Sequence, residues 1–238
     1  MKNVSRHGTA LLFAILAAFI GLESGYAQQQ YNDSSEFTVR ASEDGRSVII
    51  TGYRAKSKDV AIPPTINNLP VSGIGENAFY RKRLTSVDIP NSVASIEKYA
   101  FSRNNLKSVV IPNSVTEMGS WAFEQNKLTH VAISNSLAVI PMAAFRRNKL
   151  ADIAIPNSVI EIGPYAFMKN KFKSVTIPNN VESIKYAAFF ENNITQITIG
   201  SNVEMQDDGT KSRFDTFYFA NGYKAGTYNR RLSRWNFE

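Results

Sequence analysis

From Leu84 to Phe189 the chain repeats itself every 22 residues. Phe79, Phe101, Phe123, Phe145, Phe167 and Phe189 each follow an alanine at that interval, and Ile89, Ile111, Ile133, Ile155, Ile177 and Ile199 keep it too. Self-similarity at one fixed period in the range of about 20–50 residues marks a solenoid, whose coils stack only on their neighbours. One coil cannot bury its own faces, so several must lie in register before any is stable. Function in such a chain resides on the outward columns, because the inward ones are committed to packing.

The segment Leu84–Asn105, LTSVDIPNSVASIEKYAFSRNN, shows how one coil is built. Val87 and Ile89 alternate with Ser86 and Asp88, the period-two pattern of a half-buried strand. Pro90 has no N–H and stops the ladder. Asn91 stands at a turn, where its side chain can satisfy backbone groups. Val93 and Ile96 then point inward from the return segment, and Ala100-Phe101 closes the coil. The leucine column reads Leu84, Leu106, Leu128, Leu150, Phe172 and Ile194. Asn91, Asn113, Asn135, Asn157 and Asn179 form a turn column, and Asn104, Asn126, Asn148, Asn170 and Asn192 form a second one, three residues past each phenylalanine. Asparagines repeated at one depth can bond to the backbone of the adjacent coil and form a ladder. Repeated phenylalanines form a spine, each contributing about 1.5–3 kcal/mol when buried. Both columns are read as structural.

The pattern L-x-x-V-x-I-P-N-S-V-x-x-I-x-x-x-A-F-x-x-N resembles the BspA-like, treponemal class of leucine-rich repeat. Five near-regular frames cover residues 84–193, with irregular relatives at about 55–83 and 194–203. The family's column of cysteine or asparagine after Ala-Phe is asparagine throughout here. Its glycine after the second isoleucine survives at Gly75, Gly119 and Gly163 but becomes Glu97, Pro141 and Lys185 elsewhere. The fold class expected is a leucine-rich-repeat solenoid. It is a right-handed curved stack of 22-residue coils, β-rich, with a parallel sheet on the concave face and a hairpin cap at each end. Residues 62–203 form the solenoid, 28–61 the N-terminal cap and 204–238 the C-terminal cap. Within the caps, 36–53 reads as a hairpin turning at Asp44-Gly45, and 62–79 as a first coil with a short insertion. Phe214 to Ala220 reads as a short helix, and 224–238 as a closing hairpin that packs Tyr228 and Trp235 on the last coil. The resemblance implies a bacterial envelope or surface role, with attachment to host proteins as the family's usual association.

The first 27 residues read as a signal peptide. Lys2 and Arg6 precede the apolar run Ala10–Gly21, and Gly25-Tyr26-Ala27 offers small residues for cleavage near Ala27. The run is short for a membrane span. Export to the periplasm, outer surface or medium is expected, with no transmembrane segment in the mature chain. There is no cysteine, so an exported chain of this kind depends on packing instead of disulfides. Removing Lys2, Arg6 and Glu23 lowers the net charge from +7 to +6, a modest excess whose distribution matters more than its size.

One outward column raises the question of catalysis. Ser108, His130 and Asp152 follow one another at the repeat interval, and rungs of a parallel sheet lie about 4.8 Å apart, so a serine–histidine–carboxylate line is conceivable. Catalysis also needs an oxyanion site and a water-excluding cleft, which an open sheet lacks. Beyond the leader, His130 is the single histidine, so zinc and copper sites lack ligands. Asp207-Asp208-Gly209 does not continue into a calcium loop. No glycine-rich phosphate cradle occurs. Neither an enzyme nor a cofactor or metal site is expected.

Two surfaces are candidates for binding. The first is the strand face: Lys107, Thr129 and Lys173, then Ser108, His130, Asp152 and Ser174, then Val110, Ala132, Ala154 and Thr176. Its low charge and the small apolar strip Val110–Ala132–Ala154 suit a protein partner, such as a matrix or host surface protein. The second is a basic ridge in the turn after each Ala-Phe pair, carrying Arg103, Lys127, Arg146, Arg147, Lys149, Lys169 and Lys171. It suits an anionic, sulfated glycan, an acidic protein segment or a phosphate-bearing lipid. Nucleic acid is not expected, since no base-stacking pattern accompanies the charge. Tyr99, Trp121 and Tyr165 share a further column without an assigned role. A monomer that binds a protein partner is the leading expectation, and a periplasmic structural or assembly role is its rival.

Overall fold

The computed structural model describes residues 30–206, 224–231 and 234–237, and no side chains at 231, 234, 235 and 237. The expected signal peptide, the expected helix at 214–220 and the expected break at Asp207-Asp208-Gly209 therefore lie outside the described residues, as does the expected packing of Trp235. The described part from Tyr31 onward is a β-solenoid of about seven turns, mostly of parallel strands, with helix confined to the single 3-10 turn Ser34–Glu36. The expected fold class holds.

Each coil contributes three walls. The front wall carries the strands Asp59–Ala61, Ser86–Asp88, Ser108–Val110, His130–Ala132, Ser174–Thr176 and Gln196–Ile199. The flank wall carries Leu69–Ile74, Ser95–Ile96, Glu117–Met118, Val139–Ile140, Glu161–Ile162, Ser183–Ile184 and Glu204–Met205. Neither wall is one continuous ladder. On the front, Asp59–Ala61 pairs Ser86–Asp88, Ser108–Val110 pairs His130–Ala132, and Ser174–Thr176 pairs Gln196–Ile199. Residues 152–154 form no strand. The same Asp-x-Ala pair forms a strand at Asp59–Ala61, so residue type at these two positions does not by itself account for the break. On the flank, pairing runs to Glu117–Met118 and resumes at Val139–Ile140. Pro141 accounts for that gap. Gly119, Gly163 and Lys185 each donate their N–H to the isoleucine carbonyl of the coil before (Gly119 to Ile96, 2.7 Å), and proline at the same position has no N–H to give.

The third wall contains no regular strand, yet it is the most uniformly bonded. Tyr99, Phe101 and Arg103 donate their N–H groups to Ser120, Ala122 and Glu124 of the next coil at 3.1, 2.8 and 2.8 Å. The same triplet recurs at 77–81, 121–125, 143–147 and 165–169. Aiming every second N–H along the stacking axis requires left-handed backbone on both sides of each phenylalanine. Tyr99, Trp121, Ala143 and Tyr165 have φ from 54° to 59°, and Arg103, Gln125, Arg147 and Lys169 from 55° to 58°. Such a conformation costs roughly 1–2 kcal/mol for an L residue, and the cross-coil hydrogen bonds offset it.

Inside these walls the phenylalanine spine is continuous. Phe79, Phe101, Phe123, Phe145, Phe167 and Phe189 stack face to face, with centroids 5.0, 5.2, 5.8, 5.6 and 5.3 Å apart and planes within 14°. The asparagine column runs beside it. Asn126 Nδ2 donates to its own coil's Phe123 O and to Phe101 O of the coil before, at 3.2 and 2.9 Å, while Oδ1 accepts from Leu106 N at 3.1 Å. Asn104, Asn148, Asn170 and Asn192 repeat the arrangement. Each carbonyl from Phe101 to Phe167 thus accepts two asparagine amides, which join the coils into one buried polar zigzag.

The caps close different walls. The hairpin Phe37–Ala41 and Val48–Tyr53 adds to the flank through parallel pairing of Val48–Tyr53 with Leu69–Ile74, and Phe37 and Tyr53 seal the spine against Phe79. The insertion in the first coil is a two-residue hairpin joining Thr65–Ile66 to Leu69–Ile74. Asn67 and Asn68 both have positive φ there, as a type I′ turn demands. At the other end Gly226–Arg231 pairs antiparallel with Gln196–Ile199, and Arg234–Phe237 pairs with it in turn. Tyr228 is fully buried on the last coil. Both hairpins cover edges that would otherwise template association.

Glycine is needed where coils approach most closely. A Cβ at Gly119 would fall on Lys98 N and the Glu97 carbonyl carbon. Gly119→Ala is expected to cost about 1–3 kcal/mol, read as a lowered denaturant midpoint. Lys185→Ala on the same column removes only the 3.5 Å pair with Glu161, and should cost under about 1 kcal/mol.

Candidate functional site

Regular packing of the walls displays the front residues without deforming them. Lys107, Ser108, Val110, Thr129, His130, Ala132, Asp152, Ala154, Lys173, Ser174 and Thr176 are all exposed. Val110, at 52 %, is among the most exposed large apolar side chains. Their inward neighbours Val109, Val131, Ile153 and Val175 pack into or against the core, so period-two alternation sets which side chains face out. His130 lies directly opposite Ser108, and Ala132 opposite Val110. Asp152 and Ala154 occupy the coil that has no front strand, so the surface is two short ladders separated by an irregular rung.

The His130–Asp152 contact that the repeat interval allows is not made. His130 Nδ1 is 3.0 Å from Thr129 Oγ1, its own neighbour, and among the described residues no hydrogen bond or ion pair joins His130 to Ser108 or Asp152. The missing strand at 152–154 removes the register that would have aligned the three. Among the described residues no three histidine, cysteine, aspartate or glutamate side chains gather as a metal site.

The basic turn divides into two kinds of cation. Arg146 Nη1 lies 3.0 Å from Glu124 Oε1, whose side chain is 7 % exposed, and Lys169 Nζ lies 3.2 Å from Glu191 Oε1. Each of these pairs is formed by residues one repeat apart, a signal present in the sequence. Arg103, Lys127, Arg147, Lys149 and Lys171 are exposed, and Lys127, Lys149 and Lys171 make no ion pair among the described residues. The aromatic column is held together differently. Tyr99 and Trp121 stack at 5.0 Å, with Lys98 Nζ 5.4 and 5.3 Å from their rings, and Arg81 and Arg103 lie over Tyr80. All three aromatic rings are half-buried, in keeping with packing over the turn.

The signature described as the BspA type Leucine rich repeat region matches residues 72–195 and 138–215, in six copies, which is more than half of the chain. The chain belongs to the BspA-type leucine-rich-repeat family. Among solved structures, the BspA-type coils resemble the Treponema pallidum leucine-rich-repeat protein TpLRR, at 21 % identity and a TM-score of 0.51, over 82 % of this chain and 97 % of that one. A leucine rich cell surface protein from Faecalibacterium prausnitzii gives the same identity and TM-score, over 90 % of this chain and 62 % of that one. At that identity these likenesses establish the fold. Among curated proteins, none matches the sequence. No helix among the described residues is long and apolar enough to cross a membrane.

Proposed function

We propose that this BspA-type chain is an exported, non-enzymatic binding protein that engages a protein partner through its front wall. The observation that carries the reading is the sustained exposure of the strand-face residues on coils whose backbone and core leave them little freedom to rearrange. A rigid surface loses little conformational entropy when it binds. Val110, Ala132 and Ala154 supply a small apolar strip, and Lys107, Thr129, His130, Asp152, Lys173, Ser174 and Thr176 place polar groups beside it. That is the anatomy of a non-obligate interface. Fold alone does not choose the partner, since function in repeat proteins sits on grafted surface residues. The cell-surface description of the Faecalibacterium relative supports a surface location, and attachment to matrix or host proteins is the specific role proposed.

The test uses the full chain and the variant Lys107→Ala/His130→Ala/Lys173→Ala as immobilised baits for an extracellular-matrix extract. These exposed substitutions should leave stability within about 0.5 kcal/mol of the parent per site, checked by thermal melting. The variant is expected to lose at least ten-fold in apparent affinity for the retained protein. Equal retention by both baits, at equal stability, would place binding elsewhere.

A further inference from the structure

We infer that Lys127, Lys149 and Lys171 form a linear receptor for an anionic polysaccharide that runs along the solenoid axis. The three residues are anchored on consecutive rungs: Lys127 N donates to Leu106 O, Lys149 N to Leu128 O and Lys171 N to Leu150 O, at 3.0, 2.9 and 2.8 Å. Leu128, Leu150 and Phe172, immediately after them, are buried, so the lysines sit beside a rigid interior while their own side chains are exposed. The column is bounded at both ends by asparagine, Asn105 and Asn193. Two residues further along, Lys107 and Lys173 extend the charge at its two ends, and Arg103 and Arg147 border its other side.

The acids that could neutralise this strip are engaged elsewhere or set apart. Glu124 is buried and paired with Arg146, and Glu191 is paired with Lys169. Asp152, three residues past Lys149, is the nearest acid in sequence that makes no ion pair among the described residues. Stacking like charges on adjacent rungs is unfavourable, and none of the three lysines obtains a counter-ion among the described residues. An external polyanion supplies it.

The interval selects the class of polyanion. Parallel rungs repeat at about 4.8 Å. Acidic side chains on one face of an extended peptide recur at about 6.8 Å, twice the residue rise, and phosphates along one DNA strand at about 3.4 Å of axis. A polysaccharide with one sulfate or carboxylate on each sugar ring repeats at close to one rung. Lysine suits this task because its ammonium is a mobile point charge that does not demand a fixed bidentate geometry. This reading is separable from the front-wall partner, since Lys127, Lys149 and Lys171 take no part in that surface and only the flanking Lys107 and Lys173 are common to both.

The experiment titrates the full chain with heparin, and in parallel with desulfated heparin, poly-glutamate and double-stranded DNA of matched charge, at 0.15 M salt. The column variant Lys127→Gln/Lys149→Gln/Lys171→Gln is compared with Arg46→Gln/Arg54→Gln/Lys56→Gln, which removes equal charge from exposed positions outside the strip. The column variant is expected to lose at least ten-fold in heparin affinity and the control less than three-fold, with both melting like the parent. Retained affinity for desulfated heparin would assign the contacts to carboxylates, and its loss to sulfates. Equal losses in the two variants, no loss in either, or equally tight binding of poly-glutamate or DNA would overturn the proposal.

Discussion

Phe145→Ala is expected to lower the unfolding free energy by about 3–5 kcal/mol, the usual range for a large aromatic removed from a packed interior. Phe145 is fully buried and sandwiched between Phe123 and Phe167 at 5.8 and 5.6 Å. Deleting its ring leaves a void that neighbouring coils cannot fill, because the third-wall hydrogen bonds hold their spacing. In a stack where each coil touches only its neighbours, the cut interrupts coupling between two halves. Denaturant unfolding should therefore shift to a lower midpoint and lose cooperativity. Phe145→Leu, which refills much of the volume, should recover more than half of the loss. A cost for Phe145→Ala below about 1.5 kcal/mol would mean that the spine can collapse around the gap, contrary to the packing described.

Asn148→Ala should cost about 3 kcal/mol for a different reason. Asn148 is 7 % exposed and serves three backbone groups: Leu128 N, Phe123 O and Phe145 O. The two carbonyls keep one asparagine each, from Asn126 and Asn170, so they are weakened but not abandoned. The Leu128 N–H loses its side-chain partner outright, and a buried unpaired donor carries a penalty of about 1–3 kcal/mol. Asn148→Asp distinguishes hydrogen bonding from volume. A carboxylate can still accept from Leu128 N–H but offers no donor to the two carbonyls, so its loss should equal or exceed that of alanine. Thermal melts of the two variants at neutral pH provide the comparison. An aspartate variant as stable as the parent would show that the amide donors contribute nothing.

These two columns were legible in the chain because burial constrains residue type. A site enclosed on all sides accepts phenylalanine, isoleucine or leucine and little else, so Phe101, Ile111 and Leu106 recur with the period of the coil. Asn126 is equally legible, since a polar residue repeated at core depth implies repeated backbone partners. The hairpin at 36–53 was readable from its turn at Asp44-Gly45. Exposure of the strand face followed from the same alternation, and the pairings Glu124–Arg146 and Lys169–Glu191 could have been anticipated, because opposite charges stand one period apart.

Other features left no such trace. Tyr99, Trp121, Arg103 and Arg147 adopt left-handed backbone that local chemistry would assign to glycine or asparagine, and only the demand of the neighbouring coil for an N–H donor explains it. Asp152-Ile153-Ala154 has the apolar spacing of its sister segments, yet forms no strand, which removes the alignment of Ser108, His130 and Asp152. Periodic apolar content is a local property that every coil must satisfy, so it is written in the order of residues. Strand continuity, backbone handedness and the choice of counter-ion depend on how one coil meets the next, and cooperative contacts between segments 22 residues apart decide them.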